Sequence, residues 1–421
     1  MDDQSRVRRA LVTVSGLDRP GVSSALFERL AGVTTSHDGG SVHHAVDVHD
    51  VEQVVIRGQL VLGVEVRICC ELGDIERALT TDADLGGLQI TVEADPDPAY
   101  STRRQKKHYV VVLGAPLKPA AMAAITTAIA DLGANIDSIK RLSDYPVTAL
   151  ELVVSGASSA PLRAALGTTA MRENVDVAVE KSGIERRAKR LIVMDVDSTL
   201  VQGEVIDSLA ARAGKLGEVA AITERAMRGE LDFAQSLTER VAMLEGLPVS
   251  VLDDVRRELK LTPGARTLIR TLKRMGFKIG VVSGGFSQII EPLVAELGLD
   301  YGLANTLEVR DGVLTGQVTG RIVDRAEKLT ALREFAAAYD IPMSQTVAVG
   351  DGANDLDMLS AAGLGIAFNA KPVVREGSHT ALNHPYLDAL LFFLGISRDE
   401  VAADEAREDA EDAAGDAPSP D

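Results

Sequence analysis

The sequence predicts an α/β protein whose C-terminal domain, built on a parallel sheet with a helical insertion, follows two smaller α+β modules. Three observations favour this fold class. The run LIVM at residues 191–194 has the apolar composition of a strand buried within a parallel sheet. The order of strands and helices predicted from residue 7 to about residue 80 returns from residue 108 onward. Four helix-like stretches fill residues 201–261, directly after the apolar run.

Length, charge and composition exclude several classes of protein. A chain of 421 residues is too long for one core, so two to four domains are expected. The net charge of −18, the lack of Trp and the 3% aromatic content argue against nucleic-acid binding. No apolar run is long enough for a membrane span, and the adjacent Cys69 and Cys70 give no disulfide framework. We therefore expect a cytoplasmic protein with no membrane or nucleic-acid partner.

The first α+β module is predicted over residues 1–100. A strand at residues 7–14 leads through the turn GLDRPG, residues 16–21, into a helix that has Leu26 and Leu30 on one face. Further strand-like runs and a second helix follow. This order of elements predicts a sheet with its helices packed on one side.

A second module is predicted over residues 105–183, with a strand, a turn at Gly114, and a helix that has Ile125 and Ile129 on one face. The duplicated βαββαβ order and the GLDRPG turn resemble paired ACT domains, ferredoxin-like modules that bind amino acids and regulate metabolic enzymes. The resemblance implies an effector site that contains Gly16, Asp18 and Gly21, with Gly114 in its counterpart. A ferredoxin-like fold that serves only dimerisation is the alternative.

Two charged segments flank the C-terminal domain, which is predicted to cover residues 188–397. The basic stretch KSGIERRAKR, residues 181–190, is interpreted as a solvent-exposed linker. From Asp399 onward the chain has ten acidic residues and one basic residue, about half of its net charge. Because this segment lacks apolar periodicity, residues 398–421 are predicted to form a disordered acidic tail.

Four motifs in the C-terminal domain place polar residues at predicted strand ends or helix starts. They are Asp195-Val196-Asp197-Ser198-Thr199, SGG at residues 283–285, Lys328 in RAEKLTAL, and GDGAND at residues 350–355. Singly, these motifs are explained as well by helix capping, a turn or a solvated lysine. Their order, D-x-D, Ser, Lys and G-D-x-x-x-D, resembles the haloacid dehalogenase-like phosphotransferases over residues 189–394. The resemblance implies a Rossmann-like parallel sheet.

The residue types in these motifs suit phosphoryl transfer, which needs a nucleophile and positive charge around the phosphoryl oxygens. Asp195 can attack phosphorus and form an aspartyl-phosphate. Asp197 can protonate the leaving alkoxide and then activate water. Ser283 and the N–H of Gly284 would hold the phosphoryl oxygens, and Lys328 would supply a fixed cation.

A carboxylate nucleophile also needs a cation that screens it from the phosphate. Mg²⁺ suits this role because it prefers oxygen ligands. We expect Asp195, Asp351 and the backbone carbonyl of Asp197 to be its ligands. Asp355 is expected to orient these ligands through hydrogen bonds or a metal-bound water.

The helical insertion, residues 201–261, is interpreted as a cap that closes over the site and excludes water. Its flanking and internal stretches, DVDSTLVQGEVID and MRGELDFAQSLTERV, resemble the phosphoserine phosphatase family. That resemblance implies that Glu204 binds the substrate ammonium group and that Arg240 clamps its carboxylate. It also implies that Phe233 covers the site, with Asn354 among the substrate contacts. Without the resemblance, the two charged residues would be interpreted as exposed helix charges.

Together these resemblances imply Mg²⁺-dependent hydrolysis of O-phospho-L-serine to L-serine and phosphate, the last step of L-serine biosynthesis. They imply regulation through amino-acid binding to the N-terminal modules, with L-serine as a candidate effector. Exposed strand edges on such modules favour a homodimer. Two alternatives stay open. One is a phosphatase of this superfamily that acts on a sugar phosphate, another small phosphomonoester or a phosphoprotein, and the other is an amino-acid sensor whose phosphatase-like domain is inactive.

Overall fold

The structure is a computed structural model, and it describes residues 8–37, 40–43, 46–80, 85–94 and 107–415. Contacts divide the chain into two compact units, residues 1–103 and 104–421. In the described ranges, no helix is both long enough and apolar enough to cross a lipid bilayer.

The first unit contains an antiparallel sheet with two helices, as the fold class predicts. Its elements are β1 (Arg8–Leu17), α1 (Val22–Ala31), β2 (Thr34–His37), β3 (Gly40–His43), β4 (Val46–Ile56), β5 (Gln59–Ile68), α2 (Leu72–Thr80) and β6 (Gln89–Ala94). Four strands pair in the order β4-β5-β1-β6, while β2 and β3 form a separate hairpin. Alternate residues of β1, namely Ala10, Val12 and Val14, share a buried core with Leu26 of α1. The inward-facing residues of the strand and the predicted apolar face of the helix therefore pack together in this core.

The second module repeats the arrangement of the first. Its elements are β7 (Lys107–Gly114), α3 (Pro119–Ala130), β8 (Asn135–Ser143), β9 (Thr148–Ser155), α4 (Ser159–Glu173) and β10 (Asp176–Lys181). The strand order is β10-β7-β9-β8, so the first strand again lies between the last strand and the third. Ile125 and Ile129 are buried against this sheet, as predicted. The duplication inferred from the sequence is confirmed.

The linker after the second module is exposed at most of its described positions, but Arg186 and Lys189 are buried, so the prediction of a solvent-exposed linker is wrong for these two residues. It contains the short helix α5 (Ile184–Arg187). Arg186 forms an ion pair with Glu151 at 2.6 Å, and Lys189 forms one with Glu180 at 3.6 Å. Both acidic partners lie on strands of the second module. The basic composition is misleading because these partners are supplied by the tertiary fold.

The C-terminal domain has a seven-stranded sheet. Its strands are β11 (Leu191–Met194), β12 (Lys278–Phe286), β13 (Tyr301–Arg310), β14 (Val313–Thr319), β15 (Thr346–Gly350), β16 (Leu364–Phe368) and β17 (Thr380–Leu382). Their order is β14-β13-β12-β11-β15-β16-β17, with all neighbours parallel except β13 and β14. This is the predicted Rossmann-like sheet, and β11 lies at its centre.

The predicted cap forms as four helices. They are α6 (Val205–Arg212), α7 (Leu216–Met227), α8 (Phe233–Ala242) and α9 (Ser250–Glu258). Leu307 and Leu314 of the β13–β14 hairpin belong to the same apolar core as the cap helices. The N–H of Gly246 donates to the carbonyl of Leu314 at 2.9 Å. Periodicity predicts only the helices, so the hairpin is a part of the cap that the sequence does not reveal.

Seven helices follow the cap among the described residues, and the last of them corrects the prediction for the tail. They are α10 (Ala265–Arg274), α11 (Ser287–Leu297), α12 (Arg325–Ala338), α13 (Leu356–Ala361), α14 (Pro372–Glu376) and α15 (Leu390–Phe393), after which α16 (Arg398–Gly415) forms most of the tail. Predicted disorder is therefore wrong up to residue 415, and residues 416–421 lie outside the described residues. Ser397 and Glu400 form a capping box, with the Ser397 N–H donating to Glu400 at 2.7 Å. Val401 is buried in the domain core.

Candidate active site

The predicted nucleophile lies at the end of the central strand. β11 pairs in parallel with both β12 and β15, and all four of its residues are buried. Asp195 follows directly and is 4% exposed, and its N–H donates to the carbonyl of Val349 at 2.9 Å. The carboxyl ends of adjacent parallel strands therefore surround this carboxylate, where ligands of open α/β sheets bind.

A tight turn, Val196–Leu200, carries the second carboxylate back toward the sheet, and Ser198 adopts the left-handed conformation there with φ 56°. Asp197 Oδ1 accepts the N–H of Val205 at 2.8 Å, and its Oδ2 accepts the hydroxyl of Ser283 at 3.1 Å. Asp197 is thus held by both the cap and the sheet. Burial raises the pKa of the Asp197 carboxyl, although the two hydrogen bonds oppose this shift. A raised pKa suits a group that donates a proton.

The end of β12 forms a narrow cradle beside Asp197. Ser283 is fully buried, and its Oγ accepts the N–H of Gly285 at 2.8 Å. A Cβ atom at Gly285 would lie 3.0 Å from Asp197 Oδ2, and one at Gly284 would lie 3.2 Å from Cζ of Phe233. The two glycines therefore leave room that a side chain would fill. Phe233 of the cap lies against this cradle, where the family resemblance implies it.

Lys328, near the start of α12, is a buried cation at the same end of the sheet. Its Nζ lies 2.9 Å from Asp195 Oδ1 and 2.7 Å from Asp355 Oδ1. Burial alone would lower the pKa of Lys328, but the two carboxylates raise it above its ordinary value. Asp355 Oδ2 also accepts the N–H of Gly352 at 2.9 Å, so both of its oxygens have protein donors. Asn354 lies on the same loop, and a Cβ at Gly352 would collide with its side-chain oxygen.

Three carboxylates converge beside Lys328. Oxygens of Asp195, Asp351 and Asp355 lie within 4.8 Å of one another. Burial and the charge of Asp355 raise the pKa of Asp351 to about 6, and the same two causes raise the pKa of Asp195. Within the described ranges, Lys328 is the one cation in ion-pair contact with this cluster. The excess negative charge and the all-oxygen donor set fit a divalent cation such as Mg²⁺.

Two residues of the cap bring opposite charges toward these carboxylates. Glu204 Oε1 accepts the hydroxyl of Ser198 at 3.2 Å. Burial, with the charges of Asp197 and Asp351, raises the pKa of Glu204 to about 7. Burial lowers the pKa of Arg240, while the charges of Glu204 and Asp197 act against that shift. Both residues are therefore close to the site and partly withdrawn from solvent, as the family resemblance implies.

Further polar residues, not predicted from the sequence, support the site. Asn305 of β13 is 1% exposed, and its Nδ2 donates to the carbonyl of Gly284 at 2.8 Å. The hydroxyl of Thr199 donates to Asp351 Oδ1 at 3.2 Å, and the carbonyl of Thr199 accepts the hydroxyl of Thr262 at 2.6 Å. A single asparagine within an otherwise strand-like stretch was the one available signal for Asn305.

The predicted effector residues lie at the end of the first strand of each module and on the turn that follows β1. Gly16 (φ 147°) and Gly21 (φ 98°) bracket the β1–α1 turn, and both adopt conformations that favour glycine. The N–H of Asp18 donates to the carbonyl of Gly58 at 2.8 Å. Gly114 ends β7. These residues stand where ligand-binding turns of ACT domains are expected, and ligand binding there stays a prediction.

The fold and the site together define a haloacid dehalogenase-like hydrolase. The model of that family matches residues 192–360. Models of the ACT domain match residues 8–93 and 106–180, which contain the two antiparallel sheets.

Two relatives are similar over nearly the whole chain. The phosphoserine phosphatase of Mycobacterium tuberculosis is 56% identical over 402 residues, which cover 94% of this chain and 95% of the relative. The phosphoserine phosphatase of Streptomyces coelicolor is 53% identical over 419 residues, which cover 98% of both chains. The chain therefore belongs to the phosphoserine phosphatase family.

Solved structures agree with this fold. A haloacid dehalogenase family hydrolase from Salmonella enterica, 32% identical, aligns with a TM-score of 0.61 over 70% of this chain and 99% of its own. A probable phosphoserine phosphatase from Vibrio cholerae, 35% identical, aligns with a TM-score of 0.54 over 71% of this chain and 88% of its own.

Proposed function

We propose that the protein is a Mg²⁺-dependent phosphoserine phosphatase that hydrolyses O-phospho-L-serine to L-serine and phosphate, in the last step of L-serine biosynthesis. The observation that carries the proposal is the buried pair of Asp195 and Lys328, at 2.9 Å, next to Asp197 held by Ser283. A nucleophile, a proton donor and a fixed cation thus share one strand end. The relatives named phosphoserine phosphatase support the choice of substrate.

In the first step, a carboxylate oxygen of Asp195 attacks phosphorus, and the bond from phosphorus to the serine oxygen breaks. Asp197 donates its proton to that oxygen, so L-serine leaves as the alcohol and Asp195 carries the phosphoryl group. The raised pKa of Asp197 favours its protonated form before this step. Ser283 and the N–H of Gly284 hold the phosphoryl oxygens, and Lys328 offsets their charge.

In the second step, water hydrolyses the aspartyl-phosphate. Asp197, now a carboxylate, accepts a proton from the water as its oxygen attacks phosphorus. The bond from phosphorus to the Asp195 oxygen breaks, which releases phosphate and restores the Asp195 carboxylate. The cap limits the entry of other water, and Phe233 against the phosphate cradle supports that role.

Asp195, Asp351 and the backbone carbonyl of Asp197 would hold the Mg²⁺. When bound, the cation screens the repulsion between the carboxylates and the phosphoryl group. Asp355 positions Lys328 and the Gly352 backbone around this cluster rather than acting as a ligand, because both of its oxygens already accept hydrogen bonds.

Substrate selection is assigned to the cap. Glu204 would accept the substrate ammonium group, and Arg240 would clamp its carboxylate in a bidentate contact. Asn354 would contact the substrate from the GDGAND loop. A phosphomonoester without both charged groups would leave one of these partly buried residues unpaired, which disfavours its binding.

We further propose that the N-terminal modules regulate the enzyme and that the protein is a homodimer. L-serine or another amino acid would bind at the effector turns that contain Gly16, Asp18, Gly21 and Gly114. β4 is an end strand of its sheet and exposes apolar side chains, among them Val54 at 54% and Ile56 at 65%. Such a strand favours pairing with a second copy. Calorimetry with L-serine and light scattering at assay concentration test these two points.

A phosphatase assay with O-phospho-L-serine, with and without Mg²⁺, tests the activity. Asp195→Asn should reduce kcat by at least about a thousandfold, because the nucleophile is lost while its size is kept. Asp253→Asn, at an exposed position of α9, is the matched control and should retain activity. Full activity of the Asp195→Asn chain would reject the mechanism. A higher kcat/KM for another phosphomonoester would reject the substrate.

A further inference from the structure

A cavity lies within the second unit, where the second module meets the edge of the C-terminal sheet. Its volume is about 540 Å³. Residues of α4 and β10 form one wall, and residues around α14 and β17 form the other. None of the residues proposed for catalysis, metal binding or substrate binding lines this cavity.

Direct hydrogen bonds fix the two walls together. Asp176 of β10 is 2% exposed and accepts the backbone N–H of Asn383 at 2.7 Å and its side-chain Nδ2 at 2.5 Å. The hydroxyl of Thr380 donates to the carbonyl of Val177 at 2.6 Å. The buried Asp176 carboxylate therefore accepts its hydrogen bonds from Asn383, and it forms no hydrogen bond to an arginine.

Three buried nitrogen atoms around the cavity have no hydrogen-bond partner within the described part of the chain: Arg163 Nε, Arg375 Nε and His384 Nε2. Arg163 is anchored by an Nη that donates to the carbonyl of Val179 at 3.2 Å. His384 Nε2 lies 3.7 Å from Asp176 Oδ2, which is too long for a hydrogen bond. Buried polar nitrogen atoms are rarely left unpaired, so three around one cavity indicate an acceptor that the chain does not supply.

Two carboxylates also line the cavity: Asp176, which the hydrogen bonds above already satisfy, and Glu376, which is exposed. The two guanidinium groups with an unpaired Nε therefore favour an anion as that acceptor. Arg163 belongs to α4 and Arg375 to α14, so a guanidinium stands on each wall. His379 also lines the cavity, and its pKa is lowered to about 4 by burial and then by the charges of Arg163 and Lys189. Guanidinium groups bind carboxylates and phosphates through paired hydrogen bonds.

We propose that this cavity binds a small metabolite through a carboxylate or phosphate group held between Arg163 and Arg375. Because one arginine belongs to the second module and the other to the C-terminal domain, the bound anion strengthens the joint between them. This site goes beyond the proposed function, since it shares no residue with the active site or with the effector turns.

Isothermal titration calorimetry of the full chain with malonate and with inorganic phosphate tests the proposal. We expect one of these probes to bind, and we expect Arg163→Gln and Arg375→Gln each to weaken that binding at least about tenfold, as the loss of charge-assisted hydrogen bonds requires. Arg172→Gln, at an exposed position of α4, is the matched control and should not change the affinity. Arginine-dependent binding of malonate identifies a carboxylate ligand, and arginine-dependent binding of phosphate identifies a phosphate ligand.

Binding that is equal in all three variants, or no binding of either probe at millimolar concentration, would overturn the proposal. Amide hydrogen exchange on the unaltered chain provides a measurement that does not depend on the folding of the variants. The bound probe should slow exchange in residues 159–173 and 372–384. Unchanged exchange in both segments at saturating malonate and phosphate would also reject the site.

Discussion

The ammonium nitrogen of Lys328 lies 2.7 Å from Oδ1 of Asp355, and neither side chain is exposed to solvent. Removal of one partner of a buried pair leaves an uncompensated charge and typically costs about 3–5 kcal/mol of stability. We therefore expect Lys328→Met to lower the melting temperature of the C-terminal domain in scanning calorimetry. Lys215→Met, which removes the partner of an exposed ion pair with Glu218, should change it little.

The same pair predicts non-additive stability effects. In the double variant Lys328→Met and Asp355→Asn, the second change removes one of the charges that the first leaves unpaired. The loss of stability should therefore be smaller than the sum of the two single losses. Strictly additive losses would show that the contact contributes no coupling energy.

Gly285→Ala should impair catalysis more than it impairs folding. The added Cβ would lie 2.9 Å from Ser283 Oγ and 3.0 Å from Asp197 Oδ2. It must therefore displace the Ser283 side chain, which is proposed to bind the phosphoryl group, and the Asp197 side chain, which is proposed to donate the proton. We expect kcat to fall at least about tenfold, since small displacements of reacting groups are costly. Gly217→Ala, at a helix position with open space around it, is the control and should keep kcat unchanged.

Arg240→Ala should alter substrate preference. It removes the proposed carboxylate clamp, and charge-assisted contacts are worth about 1.5–3 kcal/mol, so kcat/KM for O-phospho-L-serine should fall about tenfold to a hundredfold. O-phosphoethanolamine lacks the carboxylate, so its kcat/KM should change much less. Arg228→Ala, at an exposed cap position, is the control for general effects on the cap. Equal losses for the two substrates would remove Arg240 from carboxylate recognition.

Asp351→Asn should raise the Mg²⁺ concentration needed for half-maximal activity at least about tenfold, because it removes one charged ligand. Prolonged dialysis against EDTA should abolish the activity of the unaltered chain, and added Mg²⁺ should restore it. Asp357→Asn removes a carboxylate that pairs with Arg325 near the same loop, so it is a suitable control. An unchanged Mg²⁺ dependence in the Asp351→Asn chain would exclude this residue from the metal site.

His379 predicts a loss of stability in acid. Its Nδ1 accepts the N–H of Gly365 at 2.8 Å, and burial, with the charge of Arg163, lowers its pKa from 6.5 to about 4. Between these values the unfolded chain binds a proton that the folded chain does not, so stability falls as the pH decreases through this window, by about 3 kcal/mol at most. His379→Asn keeps an acceptor but does not titrate. The melting temperature of the His379→Asn chain should therefore depend less on pH between 6.5 and 4 than that of the unaltered chain. An equal pH dependence of the two melting temperatures would show that His379 does not cause the loss of stability.

The sequence predicts the parts of the site that follow from local chemistry. Asp195 and Asp197 directly follow a buried apolar strand, Ser283 lies near the end of one neighbouring strand, and Asp351 follows the other. Parallel strands bring such residues to one edge, so their convergence can be inferred before any coordinates are known. Glu204 and Arg240 carry no such signal, and only the family resemblance singles them out.

The features that the sequence does not predict depend on partners distant in the chain. Arg186 and Lys189 look like linker charges until the second module supplies their acidic partners. Asn305 of β13 donates to the carbonyl of Gly284 on the adjacent strand β12, and sequence periodicity does not predict a contact of this kind between strands. The tail helix is the exception, because its capping box, Ser397 and Glu400, corresponds to the sequence pattern S-x-x-E, a local signal that the prediction from acidic composition did not use.

The docking of the second module on the C-terminal domain has a consequence for solubility. β17 is the last strand of the catalytic sheet, and the contacts of Thr380 with Val177 and of Asn383 with Asp176 place β10 beside it. An uncovered terminal strand can recruit the same strand of another molecule and lead to aggregation. Whatever it contributes to regulation, the second module therefore covers the sheet edge. A catalytic fragment that begins after residue 183 would expose this edge to solvent.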